Sequence, residues 1–391
     1  MKEYKPSFFD KFYCIADKCD FTCCRDWSIG VDEETYEEWK RLDIPCRCNL
    51  AKGKLSDYVE DDALVLDDKL KCHFLNEKGL CNIVLEYGEE ALSQTCHTFP
   101  KVIYDYTNRS EYTLNLGCKF AVEKLLEEKD FIINESVCEE DVDYEPEDRF
   151  NIPEWVFSLR DYMLKFTYQD IDNIELLKSL LLESINLNNL YKSGQKVEAL
   201  IDEFIGRPIG EKIVGKSDYL AMDDKKIDSY IERVNLLIDM LSEYKIEGMY
   251  KEFIDSIFDK ANNELLVSDK ELLDKVNLFN KDFKGEINNK IRRIIQNEIY
   301  GFIIPSQEDE SLILEAIIRK IEWLIMEIVT LEQWLFFIWE DKNKISDDEF
   351  VTATAVLFRI TGFSDEDIDE YLNDEYISDI WDDAYIDLIC N

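Results

Sequence analysis

The placement of cysteine constrains this chain more than any other feature of its sequence. Ten of the twelve cysteines lie before residue 120, and eight of these ten form a spaced framework. The N-terminus carries no apolar segment of the secretory type, so we expect a cytoplasmic protein, in which dense thiols indicate metal ligation rather than disulfides. The expected ligands are the members of this cysteine framework: Cys14, Cys19, Cys23, Cys24, Cys72, Cys81, Cys96 and Cys118.

The spacing of the framework fits a site closed by the fold. Four residues separate Cys14 from Cys19, three separate Cys19 from Cys23, and Cys24 follows directly, so one loop can wrap a site. The other four thiols arrive from distant segments, as a zinc or iron–sulfur cage requires. Eight thiols can serve one cluster with structural spares, or two sites, and some can be buried without any ligand role.

Two histidines and four further cysteines are secondary candidates. His73 and His97 are the only histidines, and each directly follows a framework cysteine. An imidazole there can complete a site or tune it from outside, although neighbouring side chains usually point apart. The remaining cysteines are two weaker ligand candidates and two expected bystanders: Cys46 and Cys48, then Cys138 and Cys390.

Charge and hydrophobicity exclude several classes of partner. The formal net charge is −41, from 86 acidic and 45 basic residues, so nucleic acid and anionic lipid are disfavoured and a basic protein partner is favoured. The most apolar stretch, Leu312 to Trp339, contains six charged residues, too many for a membrane span. We expect no membrane insertion.

At 391 residues the chain is long for one core, and its composition and hydrophobic periodicity change near residue 140. We expect an α+β cysteine-rich metal module over residues 1–140 and a mainly α-helical bundle domain over 141–391, predominantly α overall. Short strands are expected at Ala63–Leu66, Leu70–Leu75, Val102–Tyr106 and Tyr112–Leu116, the last two flanking a hairpin turn. Helices are expected at Glu33–Leu42, Glu89–Thr98 and Lys119–Glu128.

The second half of the chain has helical periodicity. An acidic segment with a proline, residues 138–148, is the expected linker, and amphipathic stripes begin after Pro153. From Ser364 onward there are eleven carboxylates and no Lys or Arg, with aromatic residues interleaved, which favours a surface helix in this acidic C-terminal segment. One apolar stripe consists of Trp155, Leu159, Tyr162 and Phe166.

Several segments together resemble the flagellin lysine N-methylase family. The first half also resembles a broader class of zinc- or iron-chelating cysteine modules. Weaker echoes occur at Pro153–Arg160 and at N-E-I-Y-G-F-I-I-P, Asn297–Pro305. The matching stretches are Phe12–Ile29, Cys72–Ile83, Gly88–Pro100 and L-N-L-G-C at Leu114–Cys118.

The resemblance implies S-adenosylmethionine-dependent N-methylation of flagellin lysines, and an iron–sulfur cluster of the four-iron [4Fe-4S] type rather than zinc. Around the cysteine and proline of the third stretch, the family usually has basic residues, whereas this chain has His97 and Lys101. It departs again at F-R-I-T-G-F, which begins at Phe358 and contains no histidine. These departures leave the predicted metal binding intact and assign no active-site residue.

The sequence carries neither common signature of methyl transfer. The closest pair of glycines is Gly206 and Gly210, too sparse for a phosphate-type turn, and the cysteine spacing is not that of a radical enzyme. Tyr13, Asp26 and Trp27 lie beside the thiol loop, where core packing is the expected role of the aromatics. The catalytic and cofactor-binding residues are therefore unassigned, and a non-enzymatic zinc- or iron-chelating or electron-transfer module is the alternative function.

Overall fold

A computed structural model describes residues 1–137, 149–207, 223–264, 269–282, 284–306, 309–362, 364–373 and 383–390. Across these residues the chain is predominantly helical with a small sheet, which confirms the expected balance. The predicted linker at 138–148, with Cys138, lies outside the described residues. The boundary between residues 140 and 141 therefore stays a prediction.

A four-stranded sheet forms the base of the N-terminal part, in the order β4–β5–β1–β6. β4 and β5 form the predicted antiparallel hairpin, β5 pairs in parallel with β1, and β1 pairs antiparallel with β6. β2 and β3 form a separate two-stranded ribbon. The strands are β1 Lys2–Pro6, β2 Val59–Glu60, β3 Ala63–Leu64, β4 Lys101–Asp105, β5 Arg109–Leu114 and β6 Ile133–Val137.

Two of the three N-terminal helices predicted from the sequence are confirmed, as α1 and α4. The third, Glu89–Thr98, is wrong as a single helix: a 3-10 turn ends at Ala91, and a new helix starts after Ser93, whose side chain accepts a hydrogen bond from the Cys96 amide at 3.2 Å. Serine in this capping position favours a helix start over a helix interior. The helices here are α1 Glu33–Trp39, α2 Asn82–Tyr87, α3 Gln94–Thr98 and α4 Lys119–Glu127.

The expected strand at Leu70–Leu75 is also wrong. Leu70 has a φ of 56°, and the Asp67 carboxylate accepts hydrogen bonds from the amides of Lys69 and Lys71 at 2.8 and 3.0 Å. An aspartate that binds its own following amides favours a turn over a strand. In this part of the described chain the backbone forms isolated β-bridges instead of a strand, such as the bridge between Leu66 and Cys72.

The second part of the chain is helical throughout its described residues. The apolar stripe in α5 is buried as expected. The acidic C-terminal segment forms two helices whose apolar residues pack into the core, while residues 374–382 lie outside the described ranges. The helices are α5 Glu154–Phe166, α6 Asn173–Lys192, α7 Val197–Gly206, α8 Asp223–Glu247, α9 Lys251–Glu264, α10 Asp269–Asp282, α11 Lys284–Phe302, α12 Ile313–Lys342, α13 Asp347–Ile360, α14 Asp365–Asn373 and α15 Asp383–Ile389.

Helix α12 is the centre of the main core. It packs against α6, α8, α13 and α11, and most of its side chains are buried. This explains its apolar sequence, because a helix that is apolar on every face is buried in a protein core or in a bilayer. Within the described ranges no helix has the length and apolar character needed to cross a membrane.

The described residues pack into two separate apolar cores. The large core extends from the sheet through α4 to the C-terminal helices. The small core lies between Ile29 and Ala91, and is made of loops, α1, α2 and the β2–β3 ribbon. Four of the eight framework cysteines, Cys24, Cys72, Cys81 and Cys96, lie in or against this small core.

Candidate functional site

Seven of the eight framework cysteines meet at one place, which we call the thiol cluster. Cys23 is its centre, because a negative charge there acts on the pKa of thiols from four separate segments. In the same way, a negative charge on Cys72 raises the pKa of Cys24, and one on Cys96 raises the pKa of Cys72. The members are Cys19, Cys23, Cys24, Cys72, Cys81, Cys96 and Cys118.

The loop that carries the first three thiols is held by its backbone. The Cys24 amide donates to the Thr22 hydroxyl at 3.2 Å, and the Cys24 carbonyl accepts from the Cys72 amide at 2.9 Å. The Trp27 indole N–H donates to the Cys23 carbonyl at 2.6 Å, and its ring centroid lies 5.3 Å from that of Phe99. Trp27 therefore stabilises the loop by packing and by a hydrogen bond, as expected of an aromatic residue there.

The remote thiols are delivered by helix starts and turns. Cys81 and Cys118 occupy the positions immediately before α2 and α4, and Cys96 lies in the first turn of α3. The N-terminal end of a helix carries a partial positive charge, which favours a thiolate. Three helices thus direct their positive ends towards the thiol cluster.

Burial sets the protonation of most of these thiols. It raises the pKa of Cys96 to about 11 and that of Cys72 and Cys118 to about 12. Cys23 differs, because a hydrogen bond from Cys24 and the nearby Arg359 guanidinium lower its pKa to about 7. The cluster therefore contains one thiol that ionises near neutral pH among several that stay protonated.

Arg359, near the end of α13, closes the site from the helical side. Its guanidinium donates to the Gly117 carbonyl at 2.8 Å and to the Thr22 carbonyl at 3.1 Å, and lies 4.0 Å from the centroid of the Phe21 ring. A Cβ atom at Gly117 would lie 2.9 Å from the Asn115 Oδ1 and 3.2 Å from the Arg359 Cα, so a side chain there would force these neighbours to shift. The guanidinium also contacts the Tyr250 side chain, where it opposes the effect of burial on the pKa of that tyrosine.

The other sequence candidates lie away from the thiol cluster. Cys14 and Cys46 are exposed, and the Cys48 sulfur accepts a hydrogen bond from the Asn82 amide at 3.3 Å. His73 packs on Tyr58 with ring centroids 4.7 Å apart. The other candidates are Tyr13, which is exposed, Asp26, which is buried beside Arg25, His97, which is exposed, and Cys390, which is partly buried at the end of α15.

Within the described ranges, no three Cys, His, Asp or Glu side chains are close enough together to ligate one metal ion as they stand. The described residues therefore do not show the metal module that the sequence predicts.

Next to the thiol cluster lies a cavity of about 280 Å³, which we call the acidic cavity. Its walls come from β4, the turn after β5, and helices α11 to α14. Two carboxylates face it from neighbouring helices, Glu298 on α11 and Glu327 on α12. The aromatic residues in the wall are Tyr104, Phe302, Trp323 and Phe358.

The two cavity carboxylates have few partners. Glu327 accepts a hydrogen bond from the Thr361 hydroxyl at 2.5 Å, and Glu298 accepts one from the Asn297 amide at 3.1 Å. Burial raises the pKa of Glu298 to about 8, and burial together with Glu298 raises the pKa of Glu327 well above its ordinary value. At neutral pH the pair therefore holds protons that exposed carboxylates would have lost.

The cavity and the thiol cluster share two walls. Asn115 and Leu116 line the cavity, and Cys118 of the same turn belongs to the thiol cluster. Phe358 lines the cavity, and the next residue is Arg359. The segments L-N-L-G-C, N-E-I-Y-G-F-I-I-P and F-R-I-T-G-F, singled out from the sequence, thus meet here; Phe363, the last residue of the third, lies outside the described residues.

Sequence reasoning assigned no role to Arg359, Glu298 or Glu327. A signal was present for each: Glu327 interrupts the most apolar stretch of the chain, and the other two lie in the C-terminal segments of the family resemblance. A carboxylate in the interior of an apolar helix is expensive to bury, so it marks a special environment. The sequence does not indicate that Glu298 lies across the cavity from Glu327.

Comparison with known proteins gives relatives for part of the chain. Over 131 residues it is 26% identical to proteins named Lysine-N-methylase from Salmonella typhimurium and Salmonella choleraesuis, covering 32% of this chain and 33% of each relative. It is equally similar to the flagellar biosynthetic protein FliU of Salmonella muenchen, over 78% of that protein. No family model and no solved structure matches the chain.

The match thus spans only a third of the length of the lysine-N-methylases, so the activity of the whole relatives is not transferred here. It supports the relationship that the cysteine stretches indicated. The resemblance of this chain to the flagellin lysine N-methylase family is confirmed over about a third of its length.

Proposed function

We propose that this protein N-methylates lysine side chains of flagellin, with S-adenosylmethionine as methyl donor and a cysteine-ligated iron–sulfur cluster, [4Fe-4S], at the thiol cluster. The observation that carries the proposal is the convergence of the resembling segments, distant in sequence, on the thiol cluster and the adjoining acidic cavity. Two relatives named Lysine-N-methylase support the reaction class. The relative named as a flagellar biosynthetic protein supports a flagellar substrate.

The family resemblance favours a cluster rather than zinc, and the thiol cluster has more sulfurs than the four that a four-iron cluster needs. Arg359 supports the same reading, because its guanidinium near Cys23 would stabilise an anionic sulfur centre. Cys23, at the centre and with a pKa of about 7, is the first thiol we assign as a ligand.

Four of the seven thiols would hold the cluster, and the others would pack around it. When bound, the cluster would contribute folding free energy to loops that have little apolar core of their own. Thiols persist in the reduced state in a reducing compartment, so a cytoplasmic location belongs to the same proposal. The net charge of −41 favours approach of lysine-bearing protein surfaces and disfavours anionic lipid and nucleic acid.

A second candidate function is metal chelation or electron transfer without methylation. The thiol cluster favours it, because seven converging sulfurs can serve such a function without the cavity. In that case the cluster would be reduced and reoxidised reversibly, and S-adenosylmethionine would not bind. A measurement of S-adenosylmethionine binding therefore distinguishes the two candidate functions.

The test uses the full chain purified without oxygen and coexpressed with flagellin. We expect brown protein with iron and sulfide in equal amounts, and flagellin lysines heavier by one or more methyl groups. Cys23→Ser should abolish both, whereas Cys46→Ser, an exposed thiol outside the cluster, should change neither. Cluster-loaded protein beside unmodified flagellin would overturn the methylase proposal and favour electron transfer; colourless, zinc-loaded protein would overturn the cluster.

A further inference from the structure

Besides Glu298 and Glu327, the acidic cavity is lined by a third carboxyl group, Asp365, and by one lysine, Lys320. Lys320 is already used, because its ammonium lies 2.5 Å from Asp365 and donates to the Phe302 carbonyl at 2.9 Å. Glu298 and Glu327 accept hydrogen bonds from the uncharged donors described above, and their raised pKa values keep them protonated at neutral pH. Buried carboxylates are normally paired with a cation or protonated.

The cavity walls suit an alkyl amine. Aromatic rings attract a cation, and long aliphatic stems pack along apolar walls with the charged head in a polar position. Tyr104 and Trp323 supply aromatic surface, and Leu324 and Ile368 supply aliphatic surface. Aromatic and aliphatic side chains beside two carboxyl groups are the surroundings expected for a lysine side chain.

The volume of the acidic cavity and the arrangement of its possible ligand atoms indicate which kind of molecule it can hold. Pockets that enclose drug-sized ligands measure roughly 300–1,000 Å³, so a cavity of about 280 Å³ fits one side chain better than a complete nucleoside cofactor. A bound metal ion is disfavoured, since in the described part of the chain no three ligand side chains converge closely enough to hold one.

We infer that the acidic cavity binds the side-chain amine of the lysine that is to be methylated, with Glu298 and Glu327 as the carboxylate pair that receives its charge and one proton. The inference rests on the proposed function and names the substrate end of that site. Binding of the ammonium releases one proton from the Glu298–Glu327 pair to solvent, and transfer of a proton from the ammonium to the resulting carboxylate then leaves a neutral amine, whose lone pair is free to form the nitrogen–carbon bond. The methyl sulfonium loses its carbon–sulfur bond in that step and leaves as a neutral thioether.

Calorimetric titration of the full chain with Nα-acetyl-lysine methylamide tests the inference. The norleucine analogue has the same aliphatic stem without the amine, and serves as the control ligand. We expect the lysine probe to bind and the norleucine probe to bind at least tenfold more weakly. Equal binding of the two probes, or no binding of the lysine probe, would overturn the inference without use of any variant.

Substitutions of the two cavity carboxylates test whether the lysine probe binds in the acidic cavity. Glu298→Gln and Glu327→Gln should each weaken the lysine probe roughly thirtyfold, since loss of one partner of a buried charge contact has an effect of this size. Glu332→Gln is the matched control, because Glu332 is a buried carboxylate on the same helix, outside the cavity and already paired with Arg233 at 3.3 Å. Unchanged binding in both cavity variants would place the amine elsewhere.

A flagellin methylation assay distinguishes failure of this inference from failure of the proposed function. If Glu327→Gln methylates flagellin at the wild-type rate, the cavity assignment fails and the methylase proposal stands. If the lysine probe binds in a carboxylate-dependent way and no flagellin is methylated, the cavity is an amine site and the methylase proposal fails.

Discussion

The thiol-lined part of this protein and its helical part are stabilised on very different scales. Within the described ranges the small core has nine buried apolar residues, between Ile29 and Ala91, and is linked mainly by turns. The large core buries whole faces of long helices around α12. A unit with so little buried apolar area usually needs a metal or disulfides to stay folded. The small core is therefore the part of the molecule that the proposed metal centre would stabilise most.

The largest expected effect is therefore the loss of the metal centre. Removing iron with a chelator should remove amide-exchange protection from residues 12–100 and leave α12 protected, because structural metal sites contribute on the order of 10 kcal/mol. Hydrogen exchange read out by mass spectrometry measures both regions in one sample. Equal loss of protection in both would mean that the two parts fold as one unit.

A matched pair of core substitutions tests the same comparison. Phe74 in the small core and Phe337 in α12 are both fully buried. Each change to alanine should lower the free energy of unfolding by about 3–5 kcal/mol, from lost contacts and a new cavity. We expect Phe74→Ala to lower iron retention and local protection only, and Phe337→Ala to shift the main urea transition. Identical urea transitions for the two variants would contradict separate stabilisation.

The acidic cavity predicts a pH dependence confined to the helical part. Burial raises the pKa of Glu298 from 4.5 to about 8, so between these values the folded state holds a proton that the unfolded state has lost. Stability should fall as pH rises through this window and level off above pH 8. The groups around Glu298 are Glu327, Lys320, Asp365 and Tyr104.

Glu298→Gln should flatten that dependence. Relative to the wild type, the variant should gain on the order of a few kcal/mol between pH 5 and pH 8, since each pKa unit corresponds to about 1.4 kcal/mol. Urea unfolding at several pH values measures it, with Glu310→Gln, an exposed carboxylate, as control. Parallel curves for the wild type and Glu298→Gln would show that the carboxylate is not held protonated.

Arg359 connects the two parts, and its charge should shift the reduction potential of the proposed iron–sulfur centre. A nearby cation stabilises the more negative reduced form, so Arg359→Gln should lower the reduction potential by about 50 mV, close to tenfold for one electron. Arg359→Lys should recover part of this shift. Potentiometric titration followed by electron paramagnetic resonance gives the value, and an unchanged potential would place the cluster away from the guanidinium.

The smallest expected effect concerns the start of α13, the helix that carries Arg359. Ser346 caps this helix by accepting from the Glu349 amide at 3.2 Å, and Glu349 in turn accepts from the Ser346 amide at 2.9 Å. Ser346→Ala should lower the free energy of unfolding by about 1 kcal/mol. Thermal unfolding measures the loss, and iron content should be unaltered; loss of iron would show that the thiol cluster depends on α13 more strongly than its contacts indicate.

The sequence predicted what depends on periodicity and composition. Helices such as α5 and α12 and the β4–β5 hairpin follow from apolar spacing, and the thiols were recognised by their number. The failures at Leu70–Leu75 and at Glu89–Thr98 arise from local side-chain-to-backbone hydrogen bonds, which compete with regular structure. Arg359 and Glu298 gain their roles only from tertiary proximity, which no spacing in one segment encodes.

The contact between Arg359 and Thr22 also orders events during synthesis of the chain. The two residues are 337 positions apart, so the ribosome must deliver nearly all of the protein before the guanidinium can reach the thiol loop. A cluster inserted into the nascent N-terminal segment would meet the cysteines without their arginine and without the helix that carries it. For the proposed cluster we therefore expect iron–sulfur delivery after release of the chain, by cofactor carriers that recognise the finished polypeptide rather than the emerging one.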